Sequence, residues 1–310
     1  MSLSGASGLL GAAGTRLGDS LRLAVSGGDA LWSGAAPRLR GATLVKFSND
    51  PATYDAALLV EPGRIMSGQI ERGLSAGRTI VLVADAWLSE EVLGKLSAAA
   101  QRGGGSLGVI NSERYLPSRQ LIRQHLDEGK LGEPGLVRIH RWEPAGRGGA
   151  TTGVPTPLLR DLDIALFLFG GSPNSIYAIR RLANDRDASG GQSLQVHLGF
   201  PGGGMATLDY ADRLPPGDDY VSLTLIGSNG AAYGDDHQNV QLAYRGGPAR
   251  AVRVAENRRQ MVAVAQEVID SMYFKRDFSA GLTAWRSVLA VAGSVRQSIA
   301  SRQAVNQAKS

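Results

Sequence analysis

Between residues 21 and 110, short β-branched and apolar runs alternate with segments of helical spacing. That alternation admits little besides a parallel sheet with crossover connections. LRLAV (21–25), ATLVKF (42–47), AALLV (56–60), TIVLVA (79–84) and LGVI (107–110) read as strands. IMSGQIERGLSA (65–76) places Ile65, Ile70 and Leu74 on one helical face before Gly77. SEEVLGKLSAAAQRGG (89–104) opens on a serine cap with two glutamates in its first turn and closes on glycines, the end chemistry of a helix. The expected product over residues 21–117 is a shortened, Rossmann-like, doubly wound parallel sheet.

The pattern changes after residue 117. SRQLIRQHLDEGKLG (118–132) reads as a helix, GLVRIHRW (135–142) as an alternating strand, and LLRDLDIALFLFGG (158–171) as an apolar helix with Arg160, Asp161 and Asp163 crowded at its mouth. Strands are expected at 175–182, 193–200, 204–211, 220–228, 239–245 and 249–254, with Gly, Pro, Asn and Asp in the gaps. Two helices close the chain, at about 258–272 and 280–301. Residues 118–310 are therefore expected to form an α+β domain with a large open antiparallel sheet and flanking helices. Residues 1–20, MSLSGASGLLGAAGTRLGDS, read as a flexible leader without the basic and apolar regions of a signal peptide.

Composition excludes several functions. A chain of 310 residues that is 43 % hydrophobic and 20 % charged reads as an ordinary globular protein, here expected to be cytoplasmic. No apolar run is long enough to span a bilayer, so no membrane partner is expected. The net charge of +5 is spread along the chain rather than gathered in blocks, which argues against nucleic acid. The absence of cysteine removes disulfides, thiolate metal sites and cysteine nucleophiles. His140 and His197 lie in alternating strands and His237 sits in a turn-like GDDHQN, so these read as structural or solvent-facing, and no metal is expected.

Four phrases, HLDEGKLGEPGLVRIHRW, RDLDIALFLFGGSPNSIYAI, LTLIGSNGAAYGDD and FSAGLTAWRSVLAVAGSVRQSI, resemble in their order the Gfo/Idh/MocA family of nicotinamide-dependent sugar and polyol oxidoreductases. The resemblance covers most of residues 56–305. It implies an N-terminal Rossmann domain, a C-terminal domain on a large antiparallel sheet, NAD or NADP as cofactor, and a small-molecule ligand. It also implies a homo-oligomer, dimer or tetramer, formed through the exposed face of the C-terminal sheet.

The family's motifs are altered here. Its glycine-rich turn for the pyrophosphate corresponds to VSGGDALWSGAAP, where Gly27 and Gly28 make either that turn or an ordinary loop, with Trp32 and Pro37 close behind. At the end of the second strand Asn49 and Asp50 are candidates for the ribose hydroxyls, although Asp50 before Pro51 equally forms a turn. The family's Glu-Lys-Pro lysine is replaced by Asp85. Its catalytic histidine, three residues before an aspartate, is replaced by Arg160 ahead of Asp163, with Thr156 where an upstream acid would stand. A guanidinium stays protonated far above neutral pH and is no general base. Arg160 either pairs with Asp163 at helical spacing or clamps a carboxylate or phosphate.

Asn111 and Tyr115, at the C-terminal edge of the last parallel strand, complete the ligand-binding candidates with Arg160 and Asp163. Two readings follow. In the first the chain is a pseudoenzyme related to sugar metabolism, its hydride-transfer apparatus eroded, which binds a sugar-like or anionic small molecule or supports a partner subunit. In the second it is an active NAD(P)-dependent sugar or polyol oxidoreductase with an atypical cofactor turn and other groups near residues 85, 111 and 160. The three altered motifs favour the first.

Overall fold

A computed structural model describes residues 20–26, 32, 34–60, 66–144, 153–182, 191–215, 219–235, 240–244, 250–253 and 260–307. Among them β1 (Leu21–Val25), β2 (Ala42–Lys46), β3 (Ala56–Leu59), β4 (Thr79–Val83) and β5 (Ser106–Ile110) form a parallel sheet in the order β2-β1-β3-β4-β5. The winding reverses between β1 and β3, where such sheets open a crevice beyond their strand ends. On one face α1 (Ser67–Ser75) and α2 (Glu90–Gly103) bury Ile70, Leu74, Leu93 and Leu96 against Ala24, Leu59, Ile80 and Leu82. Helix α2 has the ends its sequence predicts: the Ser89 side chain accepts from the Val92 N–H, and Gly104 closes it at φ 70.

The connections on the other face are short. A single 3-10 turn, Pro51–Thr53, joins β2 to β3, and the β1–β2 connection holds another at Ala36–Arg38. The face this leaves bare is covered by a helix from the far end of the chain. Val264, Ala265, Val268 and Ile269 of α5 (Gln260–Tyr273) pack with Trp32, Leu21, Leu23, Ala56, Leu58, Val81 and Val83. Each large side chain so buried contributes about 1.5–3 kcal/mol, so this non-local contact replaces what a local crossover helix would supply.

The second sheet is built from β6 (Pro134–Pro144), β7 (Ser175–Leu182), β8 (Gln192–Gly199), β9 (Met205–Leu214), β10 (Tyr220–Gly227), β11 (Ala231–Asp235), β12 (Val240–Tyr244), β13 (Arg250–Arg253) and β14 (Val305–Asn306). Their order is β13-β12-β11-β10-β6-β9-β8-β7-β14. It is mixed rather than antiparallel throughout, because β6 and β9 run parallel. Helix α4 (Thr156–Phe169) and the β7–β8 hairpin lie between those two strands and supply the long connection that a parallel pair needs. Strand β11, AAYGD, has no β-branched residue and was not expected from sequence. Helix α3 (Pro117–Asp127) stops short of residue 132, and Gly129 and Gly132 take left-handed φ values of 69° and 68° in the turn that follows.

Helix α4 and α6 (Ser279–Ser301) line the inner face of the mixed sheet, and α6 also sits directly on β5. A Cβ at Gly281 would lie 2.2 Å from the Val109 carbonyl, so the close approach of this helix to β5 at that point requires glycine. The outer face of the mixed sheet has no covering layer among the described residues, and it carries Trp142, Tyr177, Ile179, Met205 and Ile226 exposed. No described helix is long and apolar enough to cross a membrane.

Candidate functional site

Helix α4 starts at Thr156, so Arg160, Asp161 and Asp163 occupy its second turn rather than its mouth. Their side chains take three different partners. Asp161 is gripped by Arg141 of β6, Nε to Oδ2 at 2.8 Å and Nη2 to Oδ1 at 2.7 Å, and the same guanidinium reaches Glu113 Oε2 at 2.5 Å. All three groups are buried. Burial opposes the charge on Arg141, but Asp161 and Glu113 outweigh it and hold the guanidinium protonated well above its ordinary range. Burial, reinforced by the neighbouring Glu113 carboxylate, raises Asp161 above the usual carboxylate range despite Arg141.

Asp163 pairs with Arg114, not with Arg160. Arg114 donates from Nε to Oδ2 at 2.6 Å and from Nη2 to Oδ1 at 2.5 Å, and its guanidinium lies 4.6 Å from the Phe167 ring centre. Asn111 Nδ2 donates both to Asp163 Oδ2 at 2.8 Å and to the Arg160 carbonyl at 3.0 Å. The 3-10 turn Ser112–Tyr115 that follows β5 carries Arg114 onto the flank of α4, and the Asn111 side chain caps that turn by accepting from the Glu113 N–H. A bidentate ion pair from another element has displaced the local i to i+3 pair.

Arg160 instead donates from Nε to the Ala84 carbonyl at 3.1 Å, at the end of β4. Thr156 Oγ1 donates to Asp85 Oδ1 at 3.2 Å and accepts from the Ala86 N–H at 3.3 Å. Positions 85, 156 and 160 thus converge at one strand end, as their alignment on the family's motifs implies. Among the described residues neither Arg160 nor Asp85 has an ion-pair partner.

Asn111, Tyr115 and Asp163 line a cavity of about 220 Å³ together with Glu267, Ser271 and Asp277, between β5 and the two C-terminal helices. Burial and the nearby Glu267 carboxylate push the Tyr115 phenol up to about 12. His140 meets Asp209 at 3.1 Å on the outer face of the mixed sheet, a carboxylate from a neighbouring strand that sequence spacing did not reveal. His237 lies outside the described residues.

The cofactor candidates divide in the same way. Gly27 and Gly28 lie outside the described residues. At the reversal point, Ser26 Oγ donates to the Val60 carbonyl at 3.1 Å and accepts from the Val60 N–H at 3.0 Å, stitching the ends of β1 and β3 together. The buried Trp32 indole donates to the Ser26 carbonyl at 2.8 Å. Asp50 accepts from the Ala52 N–H through Oδ1 at 2.9 Å, capping its own turn, and is exposed, with Asn49 exposed beside it. Among the described residues, then, the ends of β1 and β3 are tied by a side chain, Asp50 has one oxygen engaged in its own turn, and position 85 carries a carboxylate rather than a cation.

Neither Glu113 nor Arg141 stands among the site residues expected from the sequence. The alternation of GLVRIHRW held the signal, since it puts Arg141 on the inward face with Val137 and Ile139.

Residues 119–233 match the model of the GFO/IDH/MocA C-terminal domain. The inositol 2-dehydrogenase of Rhizobium meliloti (strain 1021) is 27 % identical over 201 residues, which cover 62 % of this chain and 60 % of that relative, less than two thirds of its length. The aldose-aldose oxidoreductase of Caulobacter crescentus, solved with glycerol, superposes with a TM-score of 0.78 at 16 % identity over 93 % of this chain and 100 % of that one. An oxidoreductase from Agrobacterium radiobacter, solved with NAD+, L-tartaric acid and magnesium, gives 0.75 at 13 % identity over 93 % and 98 %. At such identities the structural likeness shows the fold.

Proposed function

Since the chain belongs to the Gfo/Idh/MocA oxidoreductase family, we propose that it keeps the family fold without hydride transfer and binds a small anionic or sugar-like molecule at Arg160. The observation that carries this reading is the Arg160 guanidinium at the end of β4, where the family's proton carrier stands. Alcohol oxidation needs a group that takes the hydroxyl proton, and a guanidinium gives none up at neutral pH. It also needs a cation to stabilise the developing alkoxide, which Asp85 does not provide. Two parallel N–H groups on a fixed planar fork are instead the donor set for a carboxylate or phosphate oxygen pair. The clamped Asp161 and Asp163 hold α4, and with it Arg160, in place.

One observation favours the second reading, an active NAD(P)-dependent enzyme. Asp85 is a titratable carboxylate beside Arg160, at the position of the family's lysine, and a carboxylate accepts protons. The two readings separate in a calorimetric titration with sodium propionate, run beside a 340 nm assay of NAD+ and NADP+ with polyols. The first predicts carboxylate binding that Arg160→Met abolishes and no reduced nicotinamide. Turnover would support the second.

The same family reading has copies of the chain associating through the outer face of the mixed sheet. The exposed Trp142, Ile179, Met205 and Ile226 support it, being apolar surface on an otherwise alternating face.

A further inference from the structure

We infer that the ligand of this site is a carboxylate with a hydrogen-bond donor, hydroxyl or ammonium, on the neighbouring carbon. The inference rests on the anion-binding reading of Arg160 and adds the role of Asp85.

Arg160 and Asp85 carry opposite charges on adjoining supports, because Arg160 is hydrogen-bonded to the carbonyl of Ala84, the residue before Asp85. They nonetheless make no ion pair with each other or with any other described residue. Each is tethered at one end only. Arg160 uses Nε on the Ala84 carbonyl, and Asp85 uses Oδ1 on Thr156, so Nη1, Nη2 and Asp85 Oδ2 have no partner among the described residues. Both side chains are partly exposed at the C-terminal edge of the parallel sheet, where ligands of such sheets bind.

This arrangement selects among anions. A simple carboxylate on the guanidinium fork would lie beside the Asp85 carboxylate and be repelled by it. A donor one carbon away turns that repulsion into a charge-assisted hydrogen bond to Oδ2. A polyol without a carboxylate would leave the guanidinium unmatched, which costs affinity in a partly desolvated site. A 2-hydroxy or 2-amino carboxylate satisfies both groups together.

The test is calorimetric titration of the full chain with lactate, alanine, propionate and glycerol, the first three sharing one carboxylate and one carbon skeleton. The inference predicts that lactate or alanine binds about tenfold more tightly than propionate, that glycerol does not bind at millimolar concentration, and that Asp85→Asn removes the preference, tightening propionate by relieving its repulsion and weakening lactate or alanine by removing the acceptor of their donor group. Which of lactate and alanine binds better identifies the donor. Equal binding of all three carboxylates would overturn the inference and leave the anion site standing. No carboxylate binding at all would overturn the Arg160 reading itself. The wild-type ranking decides between these outcomes without relying on any variant.

Discussion

Arg114 holds Asp163 by two parallel hydrogen bonds, while Arg160, three residues earlier on the same helix, turns away to the carbonyl of Ala84. This division of labour explains the charge packed into an apolar helix. The two aspartates are fastened to arginines on other elements, and the one arginine is left facing the edge of the parallel sheet.

Removing the fastening should cost stability. Asp163→Asn weakens a pair whose acid is buried and whose base is about a quarter exposed. Its unfolding free energy should fall by about 1–3 kcal/mol, as measured by urea denaturation.

The Arg141 cluster is more deeply buried and should be more sensitive. Arg141→Met strands the carboxylates of Asp161 and Glu113 in the interior, a loss of about 3–5 kcal/mol near neutral pH. Protonation relieves stranded carboxylates, so the deficit should shrink near about pH 4. Adding Asp161→Leu and Glu113→Leu should restore most of the lost stability, because an apolar replacement carries no desolvation cost. Denaturation curves of the single and triple variants at the two pH values test this.

Tyr115 gives an alkaline signature. Its phenol titrates near 12 in the folded chain against an ordinary 10.0. Between those values the unfolded chain has lost the proton and the folded chain retains it, so stability falls as pH rises through 10 and the group's share of the decline ends near 12. The loss should amount to about 2–3 kcal/mol. Tyr115→Phe should remove this share of the slope, seen as a narrowing gap between variant and parent melting temperatures above pH 10.

Much of the parallel sheet was legible because its signals are local. The Ser89 cap, the Gly104 terminus and the β-branched runs each act within a few residues. The partner of Asp163 was not legible, since Arg160 satisfies the helical spacing rule while Arg114 wins by a geometry set from another element. The covering of the β1 face by α5 was hidden for a related reason: Trp32 and Val268 meet only once the whole chain is folded. The meeting of Asp85, Thr156 and Arg160 was visible through the resemblance, whereas their hydrogen bonds were not.

The outer face of the mixed sheet offers a separate test. Association through it should be weakened by Ile179→Lys with Met205→Glu, which place charges on exposed apolar positions of β7 and β9. Sedimentation velocity should show the parent as a dimer or larger and the variant shifted towards monomer. A parent that sediments as a monomer would remove this face from the account.

The most direct measurement is a fluorescence titration of the purified chain with NADH and NADPH, followed by mixing with candidate carbonyl substrates. With Arg160 and Asp85 in the positions that the resemblance assigns to a proton carrier and a lysine, the proposed function predicts no saturable binding below millimolar concentration and no loss of absorbance at 340 nm. Micromolar binding accompanied by nicotinamide oxidation would contradict it.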